Sequence, residues 1–204
     1  VKKTGKRQIA WGLITCALFV IALIMAVTCY DILVDKEIIA AISDARIIYS
    51  AAIQQGYRTI AKTNAFSNSY EYVCSLLNTN INCKRCAYWC FVISVPDEIN
   101  DNFPIMFTSN INPAHLPIAW DGMTDSEKTI PTWKSSAKFF PPLLNVKVVI
   151  IIRKSGAIEV IRSSNLTLKS MYNKSPFSLG EEVEYLTPTG RIKIRLNNNQ
   201  VKKE

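Results

Sequence analysis

The chain has 204 residues, 49% of them hydrophobic and 20% charged, with a formal net charge of +8. That length suits an anchor plus one globular domain of about 100–150 residues. Six cysteines, nine prolines and seven glycines exclude collagenous, disordered and knottin-like classes. Half of the net charge is Lys2, Lys3, Lys6 and Arg7, and the rest is scattered apart from Arg191, Lys193 and Arg195. No nucleic-acid footprint forms, and no nucleic-acid partner is expected.

Valine at position 1, directly before a basic stretch, is what a GTG start codon read literally gives. Val1 then stands for an initiator methionine and the chain is a whole gene product; a trimmed chain is the alternative. Residues 8–30 contain no charged side chain. A hydrocarbon core of about 30 Å needs around 20 such residues in a helix. Basic residues precede this run, and Asp31 and Asp35 follow it. The positive-inside rule therefore predicts an inner-membrane, single-pass protein with a cytoplasmic N-terminus over 1–8 and a transmembrane helix over 9–30. Trp11 and Tyr30 stand near the two ends, where amphipathic rings favour the headgroup level. A cleaved secretory signal has a shorter apolar core and a small-residue cleavage site, which this run lacks. Thr15–Cys16 and Thr28–Cys29 do not fit a lipoprotein signal, which needs a small residue before its cysteine. A buried core helix is the remaining alternative, and the flanking charges oppose it.

The helical pattern continues over 31–63. Ile38, Ile42, Ala45, Tyr49, Ala52 and Ile53 draw one stripe, with Ile47 and Ile48 widening it. Ile38, Ile42, Tyr49 and Ile53 are the residues expected to pack this helix on the domain. No glycine or proline occurs between Gly12 and Gly56, so nothing forces a break. From residue 64 the composition becomes turn-rich, beginning an extracytoplasmic α+β domain over 64–204. A short helix is predicted over 70–77. Strands are predicted over 88–95 and 103–108, from their β-branched and aromatic content. Residues 110–142 hold five prolines and read as a long irregular loop. A hairpin is predicted over 146–162, with Gly156 at the positive-φ position of its turn. Residues 165–172 read as a small helix capped by Asn165. A last hairpin brackets 187–190, pairing 183–186 with 191–196. The fold class is therefore α+β: a long N-terminal helix, its first half membrane-spanning, packed on a mainly antiparallel sheet.

Several segments carry a family resemblance. Residues 43–52 (SDARIIYSAA), 88–93 (YWCFVI) with 102–110 (NFPIMFTSN), and 148–160 (VVIIIRKSGAIEV) resemble bacterial type IV pilins and type II secretion pseudopilins. The first is similar to the end of their long helix, the others to strands and the late hairpin of a subgroup. The resemblance implies a pilin-like fold and a structural, non-enzymatic role in the cell envelope. Its implied partners are membrane lipid and like subunits or other pilin-like proteins, met through the N-terminal helix. The usual prepilin motif is a glycine followed by phenylalanine, with glutamate at the fifth mature position. Here Gly12 is followed by Leu13, and the fifth residue after it is Ala17. The departure points away from ordinary processing and polymerisation, toward an unprocessed or minor relative. The alternative is a signal-anchored extracytoplasmic binding or sensor domain that does not polymerise.

Other chemistry-bearing residues are read from their spacing and surroundings. Cys16 and Cys29 lie in the anchor as apolar packing. Cys74, Cys83, Cys86 and Cys90 are candidates for disulfides outside the cytoplasm. Four cysteines allow three pairings, and free buried thiols, a zinc knuckle at Cys83 and Cys86, and a redox pair are the alternatives. His115 reads as a loop histidine. Asp121, Asp125 and Glu127 sit in an acidic loop without the alternation a calcium loop needs. Asn165-Leu166-Thr167 matches a glycosylation sequon, a pattern common by chance. No catalytic, dinucleotide or phosphate-binding motif occurs, so no cofactor and no metal is expected.

Overall fold

The computed structural model describes residues 3–54, 66–77, 88–93, 100–111, 113, 116, 129–132, 148–172 and 182–195, with the side chains of 3–10 and 195 excepted. Helix α1 runs Lys3–Gln54, 52 residues, about 78 Å at the α-helical rise. Helix α2 is Ser69–Leu76 and α3 is Leu168–Tyr172. Six strands follow α2 in the chain: β1 Trp89–Val92, β2 Pro104–Thr108, β3 Val148–Arg153, β4 Ile158–Arg162, β5 Glu182–Thr187 and β6 Gly190–Arg195. They form one antiparallel sheet in the order β4-β3-β2-β1-β5-β6. The expected α+β class, with a long apolar N-terminal helix and an antiparallel sheet, is the observed one. The expected continuation of α1 to residue 63 lies outside the described residues beyond Gln54.

Each element starts for a local reason. Asn68 caps α2 by accepting from the Glu71 amide at 2.9 Å. The Glu71 carboxylate reaches back to the Ser67 amide at 2.9 Å and the Ser67 hydroxyl at 2.7 Å, a reciprocal arrangement that satisfies donors left open at a helix start. These bonds hold the Glu71 carboxyl below its usual value, those from Ser67 most of all. Gly156 takes φ +85° in the β3–β4 turn, where an L side chain costs about 1–2 kcal/mol. Asn165 is not the cap of α3, contrary to expectation: it ends a 3-10 turn, Ser163–Asn165. Thr167 caps instead, its hydroxyl accepting from the Ser170 amide at 3.1 Å while the Ser170 hydroxyl accepts from the Thr167 amide at 2.8 Å. Two hydroxyls answering each other out-compete a cap two residues earlier.

Every residue of β1, β2 and β3 is buried, so the central strands are covered on both faces. The register divides them. Phe91 pairs with Met106 and Leu186, and Met106 with Ile152, giving one face. Cys90 pairs with Phe107, Phe107 with Ile151, and Val92 with Tyr185, giving the other. Tyr72 of α2 stands edge-on to Phe91, ring centroids 5.0 Å apart, which seats α2 on the first face. Helix α1 packs beside α2 and over β3. Tyr172 of α3 meets Tyr185 through their hydroxyls at 3.5 Å, which seats α3 on the second face. Ile130 joins this side, its amide donating to the Leu166 carbonyl at 2.9 Å. Residues 111, 116 and 130, within the segment read as irregular loop, are therefore core: Ile111, Leu116 and Ile130 are all buried.

Two buried polar side chains, Thr108 and Asn110, close their bonds inside the sheet. The Thr108 hydroxyl donates to Asn110 Oδ1 at 2.8 Å and accepts from the Ile150 amide at 3.1 Å. Asn110 Nδ2 donates to the Val148 carbonyl at 2.8 Å. This network lets β2 end against β3 without leaving orphaned groups.

Candidate functional site

The candidate site is α1 and its seat, because the two halves of one helix meet different surroundings. From Trp11 to Cys29 every side chain is exposed to whatever surrounds the chain. Trp11, Phe19 and Met25 are each more than 60% exposed, a large uncovered apolar surface for any folded chain in water. The helix is long and apolar enough to cross a membrane, by length and composition. Its polar side chains close on the helix itself. The Thr15 hydroxyl donates to the Trp11 carbonyl at 2.7 Å, and that of Thr28 to the Ile24 carbonyl at 2.9 Å. Neither hydroxyl is left open, which is what an apolar surrounding requires.

The second half meets the domain through small residues. Ala41, Ala45, Ile48 and Ala52 are buried, at offsets of four, three and four, the spacing of one helix face. Ile38, Tyr49 and Ala51 pack at its margin, and Ile42 is half-buried. Of the four expected packing residues, Ile38 and Tyr49 touch the core, Ile42 flanks it, and Ile53 is turned away at 51% exposed. Ile47 is exposed too, whereas Ile48 is in the core. The expected stripe already holds Ala45 and Ala52, but the four packing residues chosen from it are the large ones. The buried seat is mostly alanine, because a helix lying flat on a sheet of large residues needs short side chains beneath it. The alanine spacing in the sequence was the available signal.

Tyr49 fastens the helix to the sheet. Its hydroxyl donates to the Lys154 carbonyl at 2.9 Å, and its ring lies over Gly156. A Cβ at position 156 would stand 3.0 Å from Tyr49 Cε1 and 3.2 Å from Cζ. The turn beneath is itself braced: the Lys154 amide donates to Phe103 O at 2.8 Å and the Ser155 amide to Asp101 O at 3.0 Å. Burial, and secondarily the Asp101 charge, push the Tyr49 phenol above its usual value. The hydroxyl stays a donor across physiological pH.

Arg153 does the corresponding work on the opposite face, and sequence reading did not single it out. Its side chain is 5% exposed and meets Glu159 at 2.6 Å, which is 48% exposed. It also donates to the carbonyls of Asn102 at 2.7 Å, Ser170 at 2.7 Å, and Met171. Two of those carbonyls lie in the last turn of α3, so the guanidinium serves as that helix's C-terminal cap. The only signal in the sequence is a charged residue ending a run of β-branched ones. A second pair, Arg191 with Glu184 at 2.8 Å, also ties β6 to the start of α2 through Phe66 O at 2.9 Å.

Two of the four candidate disulfide cysteines lie among the described residues. Cys74 and Cys90 are free thiols, and no disulfide occurs among the described residues. Cys90 lies in the middle of the sheet, where burial pushes its thiol well up and makes it an unreactive packing group. Cys74 is half-buried on α2. Cys83, Cys86, His115, Asp121, Asp125 and Glu127 lie outside the described residues. Among the described residues no group of three or more His, Cys, Asp or Glu side chains could hold a metal ion. Comparison with protein-family models, with curated proteins and with solved structures finds no match.

Proposed function

We propose that the chain is a membrane-anchored structural protein of the cell envelope, pilin-like or pseudopilin-like. Within a type II secretion or type IV pilus-type assembly it serves as a minor or unprocessed component. One observation carries the reading. A single uninterrupted helix of 52 residues has an uncovered apolar first half and a second half that forms the spine of an antiparallel domain. A soluble protein has no use for the first half, and the continuous helix into the domain is the arrangement the pilin-like resemblance implies. The anchor lies in the inner membrane with the basic N-terminus cytoplasmic and the domain outside, as charge asymmetry prescribes. Like subunits or other pilin-like proteins meet the chain along α1.

A second reading rests on a specific feature. No acidic residue occurs between Gln8 and Tyr30, so the group that pairs subunits during ordinary pilin assembly is missing. An anchored extracytoplasmic binding or sensor domain would need no such group. Shearing intact cells and probing the sheared fraction separates the two. Protein in a filament fraction supports assembly. Protein found only in detergent-extracted membranes, as a monomer with residues 8–30 retained, supports the tethered domain and sinks the filament. Reporter fusions at the C-terminus that are active only in the cytoplasm would overturn the topology for both.

A further inference from the structure

We draw no further inference here: the strongest candidate, the outward face of the second half of α1 carrying Ile32, Ile39, Ile47 and Ile53, is an unpartnered apolar helix face, and nothing in the structure shows what covers it.

Discussion

Gly156→Ala tests the fastening of helix to sheet. The substitution places a Cβ 3.0 Å from Tyr49 Cε1 at a residue whose φ is +85°. The left-handed conformation costs alanine about 1–2 kcal/mol. Moving the ring aside weakens the Tyr49 bond to the Lys154 carbonyl, a contribution of about 1 kcal/mol. Against these, alanine restricts the unfolded chain and returns about 0.4–1 kcal/mol. The expected net loss is about 1–2.6 kcal/mol, roughly 2–10 °C in Tm for a domain of this size. Tyr49→Phe alone should cost about 0.5–1.5 kcal/mol, through the hydrogen bond. The double variant carries the decisive information. If alanine has already displaced the ring, removing the hydroxyl adds little, and the two costs sum to more than the double variant shows. Urea titration of the detergent-solubilised full chain, followed by circular dichroism, gives all four stabilities. Additive costs, or a Gly156→Ala variant as stable as the parent, would refute a ring seated on that turn.

The same titration reads three further predictions. Ala45→Leu, at a fully buried position, should lose about 1–3 kcal/mol by overpacking, whereas Ile53→Ala should stay within about 0.5 kcal/mol as an exposed change; the reverse order would place the seat on the wrong face. Arg153→Met should cost about 1–3 kcal/mol, because it leaves buried carbonyls at the end of α3 without their donor. Glu159→Gln, at a half-exposed partner, should cost under about 1 kcal/mol, and equal losses would contradict the capping role. Burial raises Cys90, Tyr172 and Tyr185, so the folded state favours their protonated forms. That contribution is complete below the ordinary thiol value of 9.0, declines as pH rises through it, and declines faster past the ordinary phenol value of 10.0. A urea midpoint unchanged between about pH 8 and pH 11 would remove the buried cluster.

Much of this architecture is readable from local pattern, and the misses share a cause. Gly156 in its turn, the strand pairs around it, and the 69–76 helix all follow from residues close in sequence, where periodicity and turn chemistry decide the backbone. The seat of α1 is only partly legible: Ala45 and Ala52 lie on the stripe that periodicity draws, but only the opposing sheet determines that the alanines sit beneath the helix and Ile53 does not. Arg153 and the Thr108–Asn110 pair were invisible for a related reason. Their partners lie as far as 51 and 42 residues away, and no spacing rule connects an arginine to a carbonyl that the fold brings to it. The disulfide expectation came from compartment and count, neither of which specifies that Cys90 is buried on a covered face of the sheet beside Phe107.

The place of the last hairpin has a bearing on how the chain is made. β1 is hydrogen-bonded on one side by β2, its neighbour in sequence, and on the other by β5, which begins at Glu182. Until that residue emerges from whatever machinery extrudes the chain, one margin of the most buried strand stands open, with Trp89, Cys90, Phe91 and Val92 beside an unfilled row of amides and carbonyls. An open strand margin is a template for pairing with other chains, and pairing across such a distance in sequence is slow to form. The domain can therefore complete itself only after almost all of it has been delivered. On the proposed anchoring, a helix that holds each nascent copy at its own point of attachment would lower the chance that open margins meet before their own β5 arrives.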